Sequence, residues 1–390
     1  MLEWSILSIA MLLSAGLGWY WGRRKYRKAD NRQENRFSNR YFRGLNYLLN
    51  EQPDKAIEVF LQLAEVNQDT VETHFALGNL FRRRGEVDRA IRFHQNIIAK
   101  PTLTERQRTR ALLELGDDYM RAGLLDRAER LFSELVERDA HTPAALQHLL
   151  AIYQQEQDWD KAIDIATRLE HQEGSSMGAI RAHFCCELAE EAASHGKTDE
   201  AIGHLRKALD YNKSCVRARF IEARLREQQQ DYSAAIGAYK AALELDKAYL
   251  PEILNPLLRC MQAEGQDDQI EGMLRGYADS YDGVTAILAL AQSIEGKHGR
   301  EEAIDFLAGK LQQRPTVRGL EYLIDMNAAA PNSDDDTNLS ILRDLSRKLL
   351  IKQPTYRCEH CGFSGQQHHW QCPSCKFWDS SKRIRGVTGE

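Results

Sequence analysis

The chain has 390 residues, 28% of them charged and 43% hydrophobic, with a formal net charge of −5. That length allows two or three domains with full cores. The charge is unevenly spread: nine Lys/Arg against two acids between Arg23 and Arg43 form a basic collar on an acidic body. This distribution excludes general nucleic-acid binding, which needs a basic patch on the folded domain itself.

In chain order the first predicted element is Trp4–Gly22, 19 residues without a charge. As a helix it spans about 28 Å, close to the hydrocarbon thickness of a bilayer. Trp19, Tyr20 and Trp21 close it as an interfacial belt, and Arg23, Arg24, Lys25, Arg27 and Lys28 follow at once. A cleaved signal peptide carries its basic cluster on the other side. The reading is an uncleaved transmembrane anchor over 1–22, with the bulk of the chain on the cytoplasmic side. Residues 23–36 form a basic juxtamembrane linker, attracted to anionic lipid headgroups.

A repeat organises the middle of the chain. The phrase acid, any residue, Ala, followed in four of five copies by an apolar residue, recurs as DKAIEVF at Asp54, DRAIRFH at Asp88, DRAERLF at Asp126, DKAIDIA at Asp160 and DEAIGHL at Asp199. Weaker copies begin at Tyr232 and Glu301. The anchoring residues are Ala56, Ala90, Ala128, Ala162, Ala201, Ala235 and Ala303, with intervals of 34, 38, 34, 39, 34 and 68. The last interval fits two units if a degenerate one sits near Ile270. In LGDDYMRAGLLDRAERLFSEL, Leu115–Leu135, Gly116 permits close helix packing, Tyr119 and Phe132 plug the core, and Gly123 makes the turn. This pattern resembles the tetratricopeptide repeat, and predicts an all-α solenoid of helix pairs over 37–352.

In such an array the first helix of each pair lines a concave face. By that pattern the partner-binding groove would carry Phe75, Asn79, Arg82 and Arg83 in one repeat, and Leu113, Asp117, Met120 and Arg121 in the next. The polar set with which one repeat subtype grips a C-terminal carboxylate is missing, since Ala76 and Leu113 stand at its positions. AAAPNSDDDTN, from Ala328 to Asn338, reads as a solvated acidic linker before a final helix, Leu339–Leu350.

The C-terminal text, YRCEHCGFSGQQHHWQCPSCKFW, holds Cys358, Cys361, Cys372 and Cys375 as two C-x-x-C pairs ten residues apart. Such pairs put four thiolates on two tight turns, and build a closed tetrahedral metal site. Gly362 and Pro373 suit those turns. Four thiolates complete the shell, so His360, His368 and His369 are read as surface or neighbouring groups. A closed site leaves no position for substrate, and no catalytic residue is predicted. Sulfur spacing alone admits iron or zinc. Phe363, Trp370, Phe377 and Trp378 are expected to pack this module onto the last helices. Cys185, Cys186, Cys215 and Cys260 lie in helical stretches, as free thiols of a reducing compartment.

Taken together, the anchor ending GWYWGRR, the repeat LGNLFRRRGEVDRAIRFHQ and the C-terminal YRCEHCGF…HWQCPSC with IRG resemble the lipopolysaccharide assembly protein B family of Gram-negative bacteria. The resemblance covers almost the whole chain. It implies a rubredoxin-like metal domain over 353–390, ligated by the four cysteines just named, with one iron ion favoured and zinc as the alternative. It also implies an inner-membrane adaptor that regulates lipopolysaccharide synthesis. In that role the adaptor brings the lipid A deacetylase LpxC to the protease FtsH, alongside other inner-membrane regulators. A general assembly scaffold and a metal-based electron carrier are the competing classes.

Overall fold

The computed structural model describes residues 71–328, 336–351, 353–387 and 389–390, with isolated positions between 42 and 59. The anchor and the whole of the basic linker, residues 1–36, therefore lie outside the described residues. No helix among the described residues is long and apolar enough to cross a membrane.

The chain divides into two compact units, Met1–Glu156 and Gln157–Glu390. In the first unit, helices α1 (Val71–Arg83), α2 (Val87–Ile98), α3 (Glu105–Arg121), α4 (Leu125–Glu137) and α5 (Thr142–Glu156) follow one another through short turns. The recurring acid sits in the first turn of the second helix of each pair, Asp88 in α2 and Asp126 in α4, where it meets the positive end of the helix dipole. The alanine two residues later faces the partner helix. Ala56, Ala90, Ala128, Ala162, Ala201, Ala235 and Ala303 are all fully buried. In α4, Phe132 and Leu135 continue the Ala128 stripe at helical spacing. A Cβ built on Gly116 would stand 2.5 Å from the Phe132 ring, so only glycine permits this crossing. α3 begins with a reciprocal cap: Thr104 Oγ1 accepts from the Gln107 amide, and Gln107 Oε1 accepts from the Thr104 amide.

The turn between the helices of a pair uses one left-handed residue. It is Gly123 in the pair α3/α4, with φ 73°. Gln230 adopts the same conformation without glycine, at φ 61°.

The second unit holds α6 (Trp159–Glu173), α7 (Gly178–Ser194), α8 (Thr198–Tyr211), α9 (Val216–Gln228) and α10 (Tyr232–Leu245). A 3-10 turn at Lys247–Tyr249 leads to α11 (Leu250–Ala263), α12 (Asp267–Ser280), α13 (Thr285–His298), α14 (Arg300–Gln313), α15 (Val317–Ala328) and α16 (Asp336–Ile351). Ile270 and Leu274 are buried on α12, which supplies the degenerate repeat between Ala235 and Ala303. Asp158 and Asp231 cap α6 and α10 by accepting from the Lys161 and Ala234 amides, each at 3.2 Å. The unit ends in a three-stranded antiparallel sheet ordered β2-β1-β3, from β1 (Tyr356–Cys358), β2 (Ser364–Gly365) and β3 (Ser381–Arg383).

Candidate metal centre and its docking face

The two C-x-x-C segments fold as copies of one another. In the first, the Gly362 amide donates to the Cys358 carbonyl at 2.9 Å, and the Cys358 amide to the Phe363 carbonyl at 2.7 Å. In the second, Lys376 donates to Cys372 and Cys372 to Phe377, both at 2.9 Å. Gly362 and Lys376 occupy equivalent left-handed positions, φ 79° and 60°.

This pairing brings the four sulfurs together. Every Sγ lies within 4.8 Å of the other three. The cross-knuckle distances are 3.8 Å for Cys358–Cys375 and 3.7 Å for Cys361–Cys372. A tetrahedron with metal–sulfur bonds of about 2.3 Å has sulfur–sulfur edges of about 3.8 Å, so the residues fit a four-thiolate ion. Burial opposes the Cys358 thiolate, but the Ser380 hydroxyl 3.2 Å away and the Cys361 and His360 amides bring it down to about 6. Cys375 is pushed up to about 12 by burial and by the neighbouring sulfurs. Cys358 and Cys372 are buried, whereas Cys361 is exposed. The three histidines stand outside this group. His360 lies flat on Phe377, ring centroids 4.3 Å apart, and His368 packs edge-on to Trp370 and Tyr249.

The knuckle is seated on the helices of its own unit. Trp378 stacks on His183 of α7 at 5.0 Å and meets Phe184 and Trp159 edge-on. Trp370 stacks on Tyr249 at 5.1 Å and lies 6.4 Å from Phe220 of α9. The guanidinium of Arg217 sits over both tryptophans, at 5.8 and 5.7 Å, and pairs with Glu187 and Glu190. A polar rim follows. Lys382 reaches Asp246 at 3.0 Å, and Arg383 reaches Glu252 at 2.8 Å, which also accepts from the Tyr356 hydroxyl. Glu390 is 3% exposed; it accepts from the Thr285 amide at the start of α13 and pairs with Arg318 at 2.7 Å.

This arrangement corrects the expected docking. The tryptophans pack on α6, α7, α9 and the 3-10 turn rather than on the last helices, and the tail after β3 reaches α13 and α15. Phe363 and Phe377 do not contribute to the seat; they remain 40% and 54% exposed. The reason is the residue supply: His183, Arg217, Phe220 and Tyr249 offer a flat polar-aromatic floor that suits indole rings.

The groove residues separate into two classes. Phe75 is fully buried in the core of the first unit under the Arg110 guanidinium, and presents no surface to a partner. Its position one turn before Asn79 points inward because α1 packs on both α2 and α3. Arg82 is spent within the unit. It pairs with Glu114 at 2.7 Å and Asp118 at 2.9 Å, and Asn79 donates to Glu114. Asp118, buried on α3, meets His94 Nδ1 at 2.5 Å. Asp117 pairs with His148 at 3.0 Å. Arg83 and Arg121 are exposed, while Leu113 and Met120 are half-buried. The signal for this network was present in sequence. His94 stands where Phe132 stands in the next repeat, four residues past the anchoring alanine, and a polar plug requires a polar partner.

Comparison with known proteins follows the same outline. Tetratricopeptide repeat models match residues 73–107, 113–176 and 186–249, and a model described as a rubredoxin metal binding domain matches 356–381. The chain is 37% identical to lipopolysaccharide assembly protein B of Escherichia coli K12 over 98% of its length and 99% of the relative's. It belongs to the lipopolysaccharide assembly protein B family. The Haemophilus influenzae member is 33% identical, with 97% and 98% of the two chains covered. Among solved structures, MamA aligns with 46% of this chain and 94% of its own at 23% identity, with a TM-score of 0.32, too slight to argue from. Family membership and geometry agree on a repeat protein carrying a four-cysteine metal site.

Proposed function

We propose that the chain is a non-catalytic adaptor at the cytoplasmic face of the inner membrane. In this reading it regulates lipopolysaccharide synthesis by promoting degradation of LpxC by FtsH. The observation that carries it is full-length kinship with proteins named for lipopolysaccharide assembly. A closed four-thiolate site, which has no position for substrate, supports a structural rather than a catalytic centre. When bound, the ion, iron in preference to zinc, cross-links the two knuckles. The uncharged Trp4–Gly22 segment with its basic flank supports tethering. Tethering makes the encounter of two partners effectively intramolecular, and no catalytic residue is needed.

The test is LpxC lifetime in cells. Complete loss of the protein is expected to lengthen it several-fold and raise lipopolysaccharide. Replacing the exposed Arg83 and Arg121 by Glu is expected to act in the same direction while leaving the helices folded. Arg82 is unsuitable for this purpose, because it is engaged inside the unit by Glu114 and buried Asp118. Unchanged LpxC turnover with altered lipopolysaccharide would instead favour a general assembly scaffold.

A further inference from the structure

α16 presents an inverted polarity. Its charged side holds the scaffold: Arg347 donates to Glu321 at 2.8 Å and to Asp325 at 3.1 Å, and Arg343 lies 3.8 Å from Asp325. Ser346 is buried on that side. The opposite side carries Ile341, Leu342, Leu345 and Leu349, each between 50% and 57% exposed. Their spacing places them within about 100° of one another around the helix, along a line of about 12 Å. The last helix of a stacked array has no successor, and its outer face is ordinarily polar. Four outward aliphatic side chains on it mark a surface with an occupant.

The charge pattern says which occupant. Arg343 and Arg347 face the other way, against Glu321 and Asp325, so the basic charge beside the stripe is that of Lys348. Lys348 is exposed at the edge of the stripe. A leucine-rich helix face edged by an exposed lysine is suited to lie in the headgroup region of an anionic bilayer, apolar side down. Four side chains alone bind a membrane weakly. The same chain carries a bilayer-length uncharged segment at Trp4–Gly22, and a tether there raises the effective concentration of lipid at α16.

We propose that the outer face of α16 is a membrane-docking surface for anionic phospholipid. This inference rests on the reading of Trp4–Gly22 as a membrane anchor. Docking through α16 would leave the exposed face of the knuckle, with Cys361, His360 and Phe377, to be presented in a fixed orientation to the bilayer.

The experiment uses the full chain reconstituted in vesicles of phosphatidylethanolamine and phosphatidylglycerol. The photocrosslinking residue p-benzoylphenylalanine replaces Leu345 in one sample and Leu12 in another, and adducts are identified by mass spectrometry. Lipid adducts are expected at both positions. Those at 345 are expected to fall several-fold in vesicles of phosphatidylcholine alone, and in a Leu342→Glu/Leu349→Glu background with unchanged helix and metal content. Lipid adducts at 12 but not at 345 overturn the docking surface and leave the anchor standing. Adducts at 345 to a second copy of the chain also overturn it, since the face would then be a self-association surface. Absence of lipid at both positions overturns the anchor and the docking proposal together.

Discussion

His183 on α7 and Trp378 in the knuckle lie face to face, with ring centroids 5.0 Å apart and planes 16° from parallel. The indole is also edge-on to Phe184 and Trp159 and lies beneath the Arg217 guanidinium. Removing it deletes the central contact of the seat. Trp378→Ala is expected to weaken docking by about 3 kcal/mol, typical of a large aromatic truncated in a packed site. Hydrogen exchange read by mass spectrometry checks this: residues 353–387 should exchange far faster, with α10–α14 unchanged. Unaltered protection of the knuckle would show that the seat does not depend on this ring.

Acid is expected to loosen the same seat. Burial holds His183 down to about 4, assisted by Arg217 and Lys382 and opposed by Asp379; burial and Lys382 hold His368 down to about 4 as well. Both folded values lie below the ordinary 6.5. As pH falls, the unfolded chain therefore takes up protons first. The contribution of the neutral rings is complete above about pH 6.5, and is lost progressively down to about 4. The slope is about 1.4 kcal/mol per pH unit for the buried His183, and less for the half-buried His368. Unfolding midpoints measured at pH 7.5 and pH 5 should differ less in His183→Phe, which keeps the stack and removes the titration. An equal difference in that variant would assign the acid sensitivity to the metal thiolates instead.

Metal and fold are expected to separate cleanly. Cys372→Ser removes one of four ligands from a site whose sulfurs already stand at tetrahedral spacing. Bound metal, read by elemental analysis, should fall from one ion per chain to near zero. Far-ultraviolet circular dichroism should hardly change, because the helical cores are built from Ala, Leu and Phe remote from the sulfurs. Chelation of the unaltered protein should reproduce both results. A large loss of helix on chelation would mean that the knuckle is part of the helical core.

In the first unit the pair to test is His94 and Asp118, both fully buried side chains. Asp118→Leu leaves the His94 ring without its acceptor and takes from Arg82 one of its partners, with Glu114 remaining, and is expected to cost about 3–5 kcal/mol. His94→Phe places at 94 the ring found at Phe132 but takes from Asp118 one of its two partners, with Arg82 remaining, and should cost about 1–3 kcal/mol. The double change should be less destabilising than the sum, by about 1–3 kcal/mol of coupling. Denaturant midpoints for the four chains check it; strict additivity would mean that the two side chains do not depend on one another.

The sequence by itself determined the elements that depend on neighbours in the chain. The buried alanines, the Gly116–Phe132 crossing and the four sulfur ligands were all legible, because helix periodicity and knuckle turns are set by residues a few positions apart. The ion pairs of Arg82 and the burial of Phe75 were not, because each depends on which face α1 turns toward α3. The seat of the knuckle was less legible still. Trp370 and Trp378 were visible as packing residues, but nothing local says that their floor is His183, Arg217, Phe220 and Tyr249, more than a hundred positions earlier. The outward stripe of α16 follows the same rule: helical spacing shows an apolar face, and only the ion pairs of Arg343 and Arg347 with α15 decide that it turns away from the core. Periodicity fixes which side chains share a face, whereas the partner of that face is chosen by the summed packing and charge of segments distant in the chain, and that choice belongs to the tertiary structure.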